Sequence, residues 1–377
     1  MRRSIAFAVG ITLTAAALSG CASSGETPAS TNLAVGSTDL SSVCPSTIVI
    51  QTNWHPEAEH GALYQLLGDN YDVDTDLKAV RGPLMASGGY TGVDVEIRAG
   101  GPAIGYQQVS SLMYTDSTIT LGYVATDEAV ANSGTLPTVG VFGSLTKSPT
   151  MIMWDPAAYP DVKGIADLKK KNVTVRTFQG AAYSDYLVQS GLLSEEQIDP
   201  SYDGTPATFV ADGGTVAQQG FASSEPYQYE NEITQWAKPV AYQLVYDTGW
   251  QPYEGVLAVK ADKLEQLSNC LAALVPVIQQ ANVDFLTDPK PAIGRILAAV
   301  DAYNNGWSYN EAGAEYAVAT MIDKSLVGDG SFDLHRVDDF ISKATGIYEH
   351  AGVTMAPDLK ASDIATNRFI DPDIKLP

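Results

Sequence analysis

"TIVIQTNWHPEAEHGALYQLL", residues 47–67, changes its period within one line. Thr47 to Thr52 reads as a buried strand, whereas Ala58 to Leu67 sets Ala62, Leu63, Leu66 and Leu67 three and four apart, the spacing of a helix face. A strand feeding a helix is half of a parallel crossover unit. The turn between them carries Asn53, Trp54, His55, Glu57, Glu59 and His60, where Gly, Asp and Ser would suffice for a plain connection.

The alternation continues on both sides. Val93 to Arg98 alternates as a strand, Ile104 to Tyr114 is helical, and Ile119 to Val124 is a strand again, after a polar stretch from Gly68 to Arg81 that reads as an insertion. Pro149 to Trp154 and Val173 to Phe178 read as strands around a short helix at Ile165 to Leu168, and Tyr183 to Gln189 opens another helix. Phe209-Val210, Gln219 to Ser223, Ala241 to Tyr246 and Gly255 to Lys260 add strand material. Leu264, Leu267, Leu271, Leu274 and Ile278 then begin a helical region, with Pro276 as a kink and further helical patterns at 292–303, 311–326 and 335–350. Two parallel sheets fed by one chain predict two lobes and a cleft, with ligand groups at the carboxyl ends of the strands.

Composition agrees with a folded chain of 377 residues, 45% hydrophobic, a length more typical of two domains than one. A net charge of -22 without a basic stripe argues against nucleic acid. Four histidines without Cys-x-x-Cys or His-x-x-x-His spacing predict no metal site, and no cofactor motif is present.

Arg2 and Arg3 precede an apolar run from Ile5 to Leu18 that is short for a lasting span and ends in Leu-Ser-Gly-Cys21. That ending resembles the lipobox of bacterial lipoproteins, which implies a leader at 1–20, lipid on Cys21, a tether over 21–45, and anchoring at the outer face of the cytoplasmic membrane. With Cys21 lipidated, Cys44 and Cys270 remain as an even pair in an oxidising compartment; a bridge is expected, although two buried thiols would read the same.

Four blocks, "TNWHPEAEHGALY", "LGYVATDEA", "SPTMIMWDP" with "IADLKKKNVTVRTFQGAAYSDYL", and "FASSEPYQYENE", resemble in order those of solute-binding lipoproteins of ABC importers. The resemblance covers about residues 46–260 and is to the branches for nitrate, sulfonate or taurine and for the pyrimidine precursor of thiamine, "W-P-x-x-E-H-G-x-L-Y" pointing to the last. It implies a type II periplasmic-binding-protein fold with two crossing strands and a helical C-terminal region: first lobe 46–146, second lobe 147–250, and a mostly helical return to the first lobe over 251–377. The crossings are expected near Gly143 to Pro149 and Asp247 to Tyr253. A monomer is expected, with a small-molecule solute and a transporter permease as partners and no catalysis.

The candidate ligand-binding residues follow from the strand ends and these blocks. Trp54 is placed to stack on a flat ligand, and His60 to present a ring nitrogen. Asn53 and Asp127 either bind ligand or cap helices; Tyr123 and Thr126 follow the same strand end as Asp127. Gln179, Gly180 and Tyr183 form a helix start that either contacts ligand or only packs. Glu225 follows the strand end FASS, where it faces the ligand or favours a helix dipole, and Tyr253 and Glu254 lie at the second crossing. No strand-end motif supplies a cation: Lys147 is the nearest, and Arg98 and Arg176 lie within strands. The acidic and aromatic bias favours a planar, amine-bearing solute over an anion. Sulfonate, taurine or nitrate binding is the alternative, followed by a sensor lipoprotein or the pyrimidine-synthesising enzyme of the related branch, whose cysteine cluster is missing here.

Overall fold

The computed structural model describes residues 33–376; Cys21, the expected leader and the tether up to residue 32 lie outside the described residues. In the first lobe, β1 (Thr47–Gln51) passes through the acidic, aromatic turn and one tight helical turn (Ala58–His60) into α1 (Gly61–Gln65). Next come β2 (Asp72–Asp74), β3 (Ala79–Ala86), β4 (Gly89–Arg98), α2 (Val109–Thr115), β5 (Leu121–Tyr123), α3 (Thr126–Ala131) and β6 (Thr138–Leu145). The chain then builds the second lobe from β7 (Thr150–Trp154), α4 (Ile165–Lys170), β8 (Val175–Arg176), α5 (Ala182–Gln189), β9 (Ile198–Asp199), α6 (Ala207–Ala211), β10 (Ala217–Phe221), α7 (Glu225–Asn231) and β11 (Ala241–Leu244). It returns through β12 (Val256–Lys260), α8 (Ser268–Thr287), α9 (Lys290–Tyr303), α10 (Glu311–Asp323), β13 (Val327–Gly330), α11 (Leu334–His350) and α12 (Ala361–Ile364).

The sheets run β13-β6-β12-β5-β1-β4-β3-β2 and β11-β7-β10-β8-β9. They are mixed rather than parallel. β1 is parallel to β4 and β5, and β8 to β9 and β10, as the crossover reading expects. β12, returning from the second lobe, is antiparallel to β5 and β6, and β7, arriving from the first, is antiparallel to β10. A strand that enters from the other lobe has no crossover helix to reverse it, so it runs against its neighbours.

One stretch gains structure and one expectation changes. The polar stretch from Gly68 to Arg81, read as an insertion, holds β2 and the start of β3, which extend the sheet as an antiparallel ribbon with β4. The turn between β3 and β4 is Ser87-Gly88, both at positive φ (47° and 81°), the geometry a two-residue hairpin needs to match strand twist. Phe209-Val210 is helical, in α6, and the Phe209 ring packs edge-on to Tyr229 and Trp236. An apolar pair is too short to show a period, so tertiary packing decides it.

The long helix α8 is apolar enough in length and composition to cross a membrane, yet most of it is buried inside the first lobe. Gly61, at the start of α1, lets α1 pack closely on α8: a Cβ there would lie 2.1–2.5 Å from the Phe285 ring. Pro276 sits within the helix. Cys270, on α8, is bridged to Cys44, just before β1, across 226 residues of sequence. Closing so long a loop stabilises the fold by roughly 5 kcal/mol in the chain-entropy account.

Between the sheets the chain crosses at 146–149 and at 249–255, and α11 clamps both segments. Arg336 Nη2 donates to Thr146 O at 2.6 Å, its guanidinium lies 3.6 Å from the centre of the Tyr253 ring, and the Tyr253 hydroxyl accepts from Asp333 N at 2.7 Å.

Candidate functional site

Three strand ends converge on the cleft. After β1 come Asn53, Trp54 and Glu57; after β8, Phe178; after β10, Ser224 and Glu225. Tyr202 and Gly204, from the connection between β9 and α6, and Trp307, between α9 and α10, complete the walls of a cavity of about 120 Å³. A cavity near 150 Å³ is large enough for benzene, so this one suits a single ring or a few heavy atoms. A larger open depression of about 800 Å³ lies outside the first lobe, against α8 and the β3–β4 turn. Its cation, Arg295, is paired with Asp69 at 3.2 Å, and no aromatic side chain lines it. The interlobe cavity has the convergent polar groups expected of a small-molecule site.

The walls are aromatic and the floor is acidic. Trp54 meets Phe178 at 6.3 Å between ring centres, and Phe178 meets Tyr202 at 4.7 Å. Trp307 stacks on His55 at 4.5 Å with ring planes 5° apart. Glu225 Oε2 accepts from Phe221 N at 2.6 Å, and its other oxygen faces the Tyr202 hydroxyl at 3.5 Å. Gly220 leaves room for that carboxylate, since a Cβ there would sit 2.9 Å from its carbon. Burial, opposed by the Phe221 hydrogen bond, pushes Glu225 up to about 7. Glu57 is raised well above the usual carboxylate range, first by burial and then by Glu59 and Glu225. Glu59 is raised mainly by burial; it accepts a hydrogen bond from Ser223 of the opposite lobe.

No family model and no curated protein matches the sequence. Solved structures do match over most of its length. The periplasmic aliphatic sulphonate binding protein SsuA from Escherichia coli superposes with a TM-score of 0.54 at 16% identity, covering 89% of this chain and 94% of that one. The alkanesulfonate-binding protein SsuA from Xanthomonas axonopodis pv. citri, bound to MOPS, gives 0.52 at 14%, covering 85% and 99%. The ligand binding component of an ABC-type import system from Staphylococcus aureus, with zinc bound, gives 0.50 at 12%, covering 86% and 98%. The chain has the type II periplasmic-binding-protein fold.

Within that periplasmic-binding-protein fold, the predicted residues separate into two groups. Asn53, Trp54 and Glu225 line the cavity. His60 does not present a nitrogen to it: the ring is buried, with Nε2 3.0 Å from Asn53 Oδ1 and Nδ1 3.2 Å from His55 O, and burial lowers it to about 4. It holds Asn53 from behind. Tyr123 packs edge-on against His60, and its hydroxyl pairs with Ser144 at 3.0 Å. Tyr183 donates to Gln219 Oε1, which also accepts from Phe178 N at 2.7 Å, so Tyr183 orients a lining amide without reaching the cavity. Gln179 and Gly180 are exposed turn residues ahead of α5.

The remaining candidates belong to the hinge. Thr126 Oγ1 accepts from Tyr253 N at 2.9 Å, tying α3 to the second crossing. Asp127 is in the first turn of α3 rather than at its cap, and its Oδ1 accepts from Glu128 N at 2.9 Å. Glu254 accepts from Ser148 Oγ at 2.9 Å and is raised to about 8 by burial and then by Asp127. The cations are occupied elsewhere: Arg176 pairs with Asp199 and Asp212, Arg98 with Glu96 and Asp116, and Lys147 lies over Tyr246.

Sequence reasoning passed over Glu57, Phe178, Tyr202, Gln219 and Trp307 as lining residues. Glu57 and Phe178 carried a usable signal, since each follows a strand end. Trp307 carried none, because it reaches the cleft from a connection in the C-terminal helices.

Proposed function

We propose that this protein is the extracytoplasmic solute-binding component of an ABC importer. It captures a small planar, amine-bearing solute, of the kind represented by the pyrimidine precursor of thiamine, between its lobes and delivers it to a permease without chemical conversion. The anchor is lipid on Cys21. The fold, the cleft and the binding-protein neighbours support the class. One observation carries the ligand: the cavity sets Glu57 and Glu225 among aromatic walls, with no Lys or Arg among its lining residues.

A carboxylate accepts charge-assisted hydrogen bonds from amine donors, and the ring faces supply stacking. The sulfonates named for two of the neighbours would meet the same carboxylates without a compensating cation. Thermal unfolding of the lipid-free protein tests the reading, with aminopyrimidines, taurine and nitrate as additives. A cognate solute at 100 times its dissociation constant raises stability by about 2.7 kcal/mol. Stabilisation by taurine or nitrate and by no amine would overturn the ligand assignment.

A further inference from the structure

We infer that the solute enters as a cation and that its positive charge closes the lobes, by bridging Glu57 of the first lobe and Glu225 of the second. This rests on the solute-binding reading above and adds to it a charge and a mechanism. Glu57 follows β1 and Glu225 begins α7, so the two carboxyl groups reach one cavity from opposite lobes. Glu59 crosses the same boundary to Ser223. Closure therefore gathers three carboxyl groups into a space largely withdrawn from water, where like charges repel strongly.

Hydrogen bonds from Phe221 N and Ser223 Oγ offset part of that charge, but no cationic side chain is among the described residues lining the cavity. His55 and His60, on the β1 turn, are both lowered to about 4 by burial and are neutral near pH 7. The facing tyrosines, Tyr202, Tyr229 and Tyr309, are all raised by burial and stay uncharged. Asp203 and Glu232 add negative charge to this neighbourhood, and Arg176, a cation acting on Tyr229, is held by Asp199 and Asp212. Trp54, Phe178, Tyr202 and Trp307 turn the other walls into aromatic surface, which attracts a cation through the ring quadrupoles. A cation the size of one ring fits the cavity, neutralises the carboxyl groups and removes the barrier to closure.

The pH dependence has a definite sign. Closure raises Glu57 and Glu225 above their solvated values, so the ligand-free closed form is favoured at acid pH. It is lost as pH climbs from the ordinary carboxylate range through the value of about 7 for Glu225. Affinity for a cation rises over that same window.

Calorimetry and small-angle scattering on the lipid-free protein test this. The probes are tetramethylammonium and N-methylpyridinium as permanent cations, 2-aminopyrimidine as an uncharged ring, and taurine and nitrate as anions. The cations are expected to bind about tenfold more tightly per pH unit for each proton released between about pH 5 and about pH 7. Without any probe, the parent protein is expected to be more compact at the lower pH. The doubly substituted Glu57→Gln, Glu225→Gln protein, which keeps the shape, is expected to be compact throughout and to bind the cations at least ~100-fold more weakly. Binding of 2-aminopyrimidine as tight as that of the cations, with no pH dependence, would overturn the charge inference and leave the solute-binding reading standing. Closure by taurine or nitrate would overturn both. Scattering that is independent of pH and of every probe would overturn the inference by itself.

Discussion

Among the described residues, two groups of three carboxylates invite comparison, one in the cleft and one at the hinge. Glu57, Glu59 and Glu225 lie on or beside the aromatic cavity; Asp127, Glu128 and Glu254 lie where α3 meets the second crossing. Burial raises every one of the six. The hinge group is supported from within the protein: Glu254 by Ser148 Oγ, Glu128 by Ser110 N, and Asp127 by Glu128 N, each at 2.9 Å. None of the hinge carboxylates lines the aromatic cavity. A perturbed carboxylate is therefore not in itself a binding site. What separates the two groups is the aromatic wall and the space beside it.

The sharpest way to break the comparison is to remove one charge from each group. Glu225→Gln is expected to weaken binding of an amine-bearing solute by about 10- to 100-fold, the loss of a charge-assisted hydrogen bond. Glu254→Gln is expected to leave affinity within about twofold. Calorimetry on both variants measures this, and equal losses would erase the distinction.

Stability against pH sharpens the difference. Glu254 is raised to about 8, so it favours the fold while protonated; that contribution is complete below the unfolded carboxylate value and is lost as pH rises through about 8. Heating the ligand-free protein across that range is expected to show a falling melting temperature, and Glu254→Gln should recover on the order of 1–3 kcal/mol at the alkaline end. Glu225→Gln should recover less, because opening of the cleft returns Glu225 to water as its carboxyl group ionises. A melting temperature that rises with pH over this window would contradict the burial of Glu254.

Smaller effects test the walls. Trp54→Ala and Trp307→Ala are each expected to weaken binding by roughly 3- to 10-fold through lost stacking, about 0.5–1.5 kcal/mol, read by calorimetry. Tyr183→Phe removes only the hydroxyl that orients Gln219, and a loss of about threefold is expected. A larger loss than for Trp54→Ala would place Tyr183 on the ligand itself.

Much of this is legible in the sequence. The alternation of periods located β1, α1, β4, β7, α5, β12 and the C-terminal helices, because strand and helix spacing are local properties of the chain. Strand ends marked Asn53, Trp54 and Glu225, although the same rule also picked Thr126, Asp127, Gln179 and Gly180, which go to the hinge or to solvent. The absence of cations at those ends, on which the proposal of an amine-bearing solute rests, also needed only the sequence. Where the period was too short to read, as at Phe209-Val210, packing against Tyr229 and Trp236 settled the outcome.

The sequence by itself determined the crossover units, the acidic and aromatic character of the cleft, and the cysteine pair available for a bridge. Tertiary structure alone decided which of the acids share a cavity and which serve the hinge, that His60 supports Asn53, and that Trp307 joins the wall. The reason is range. Glu59 meets Ser223 of the other lobe across 164 residues, and Ala58 N meets the Tyr309 hydroxyl within the first lobe across 251; no local pattern encodes such pairs, which exist only once the chain has folded.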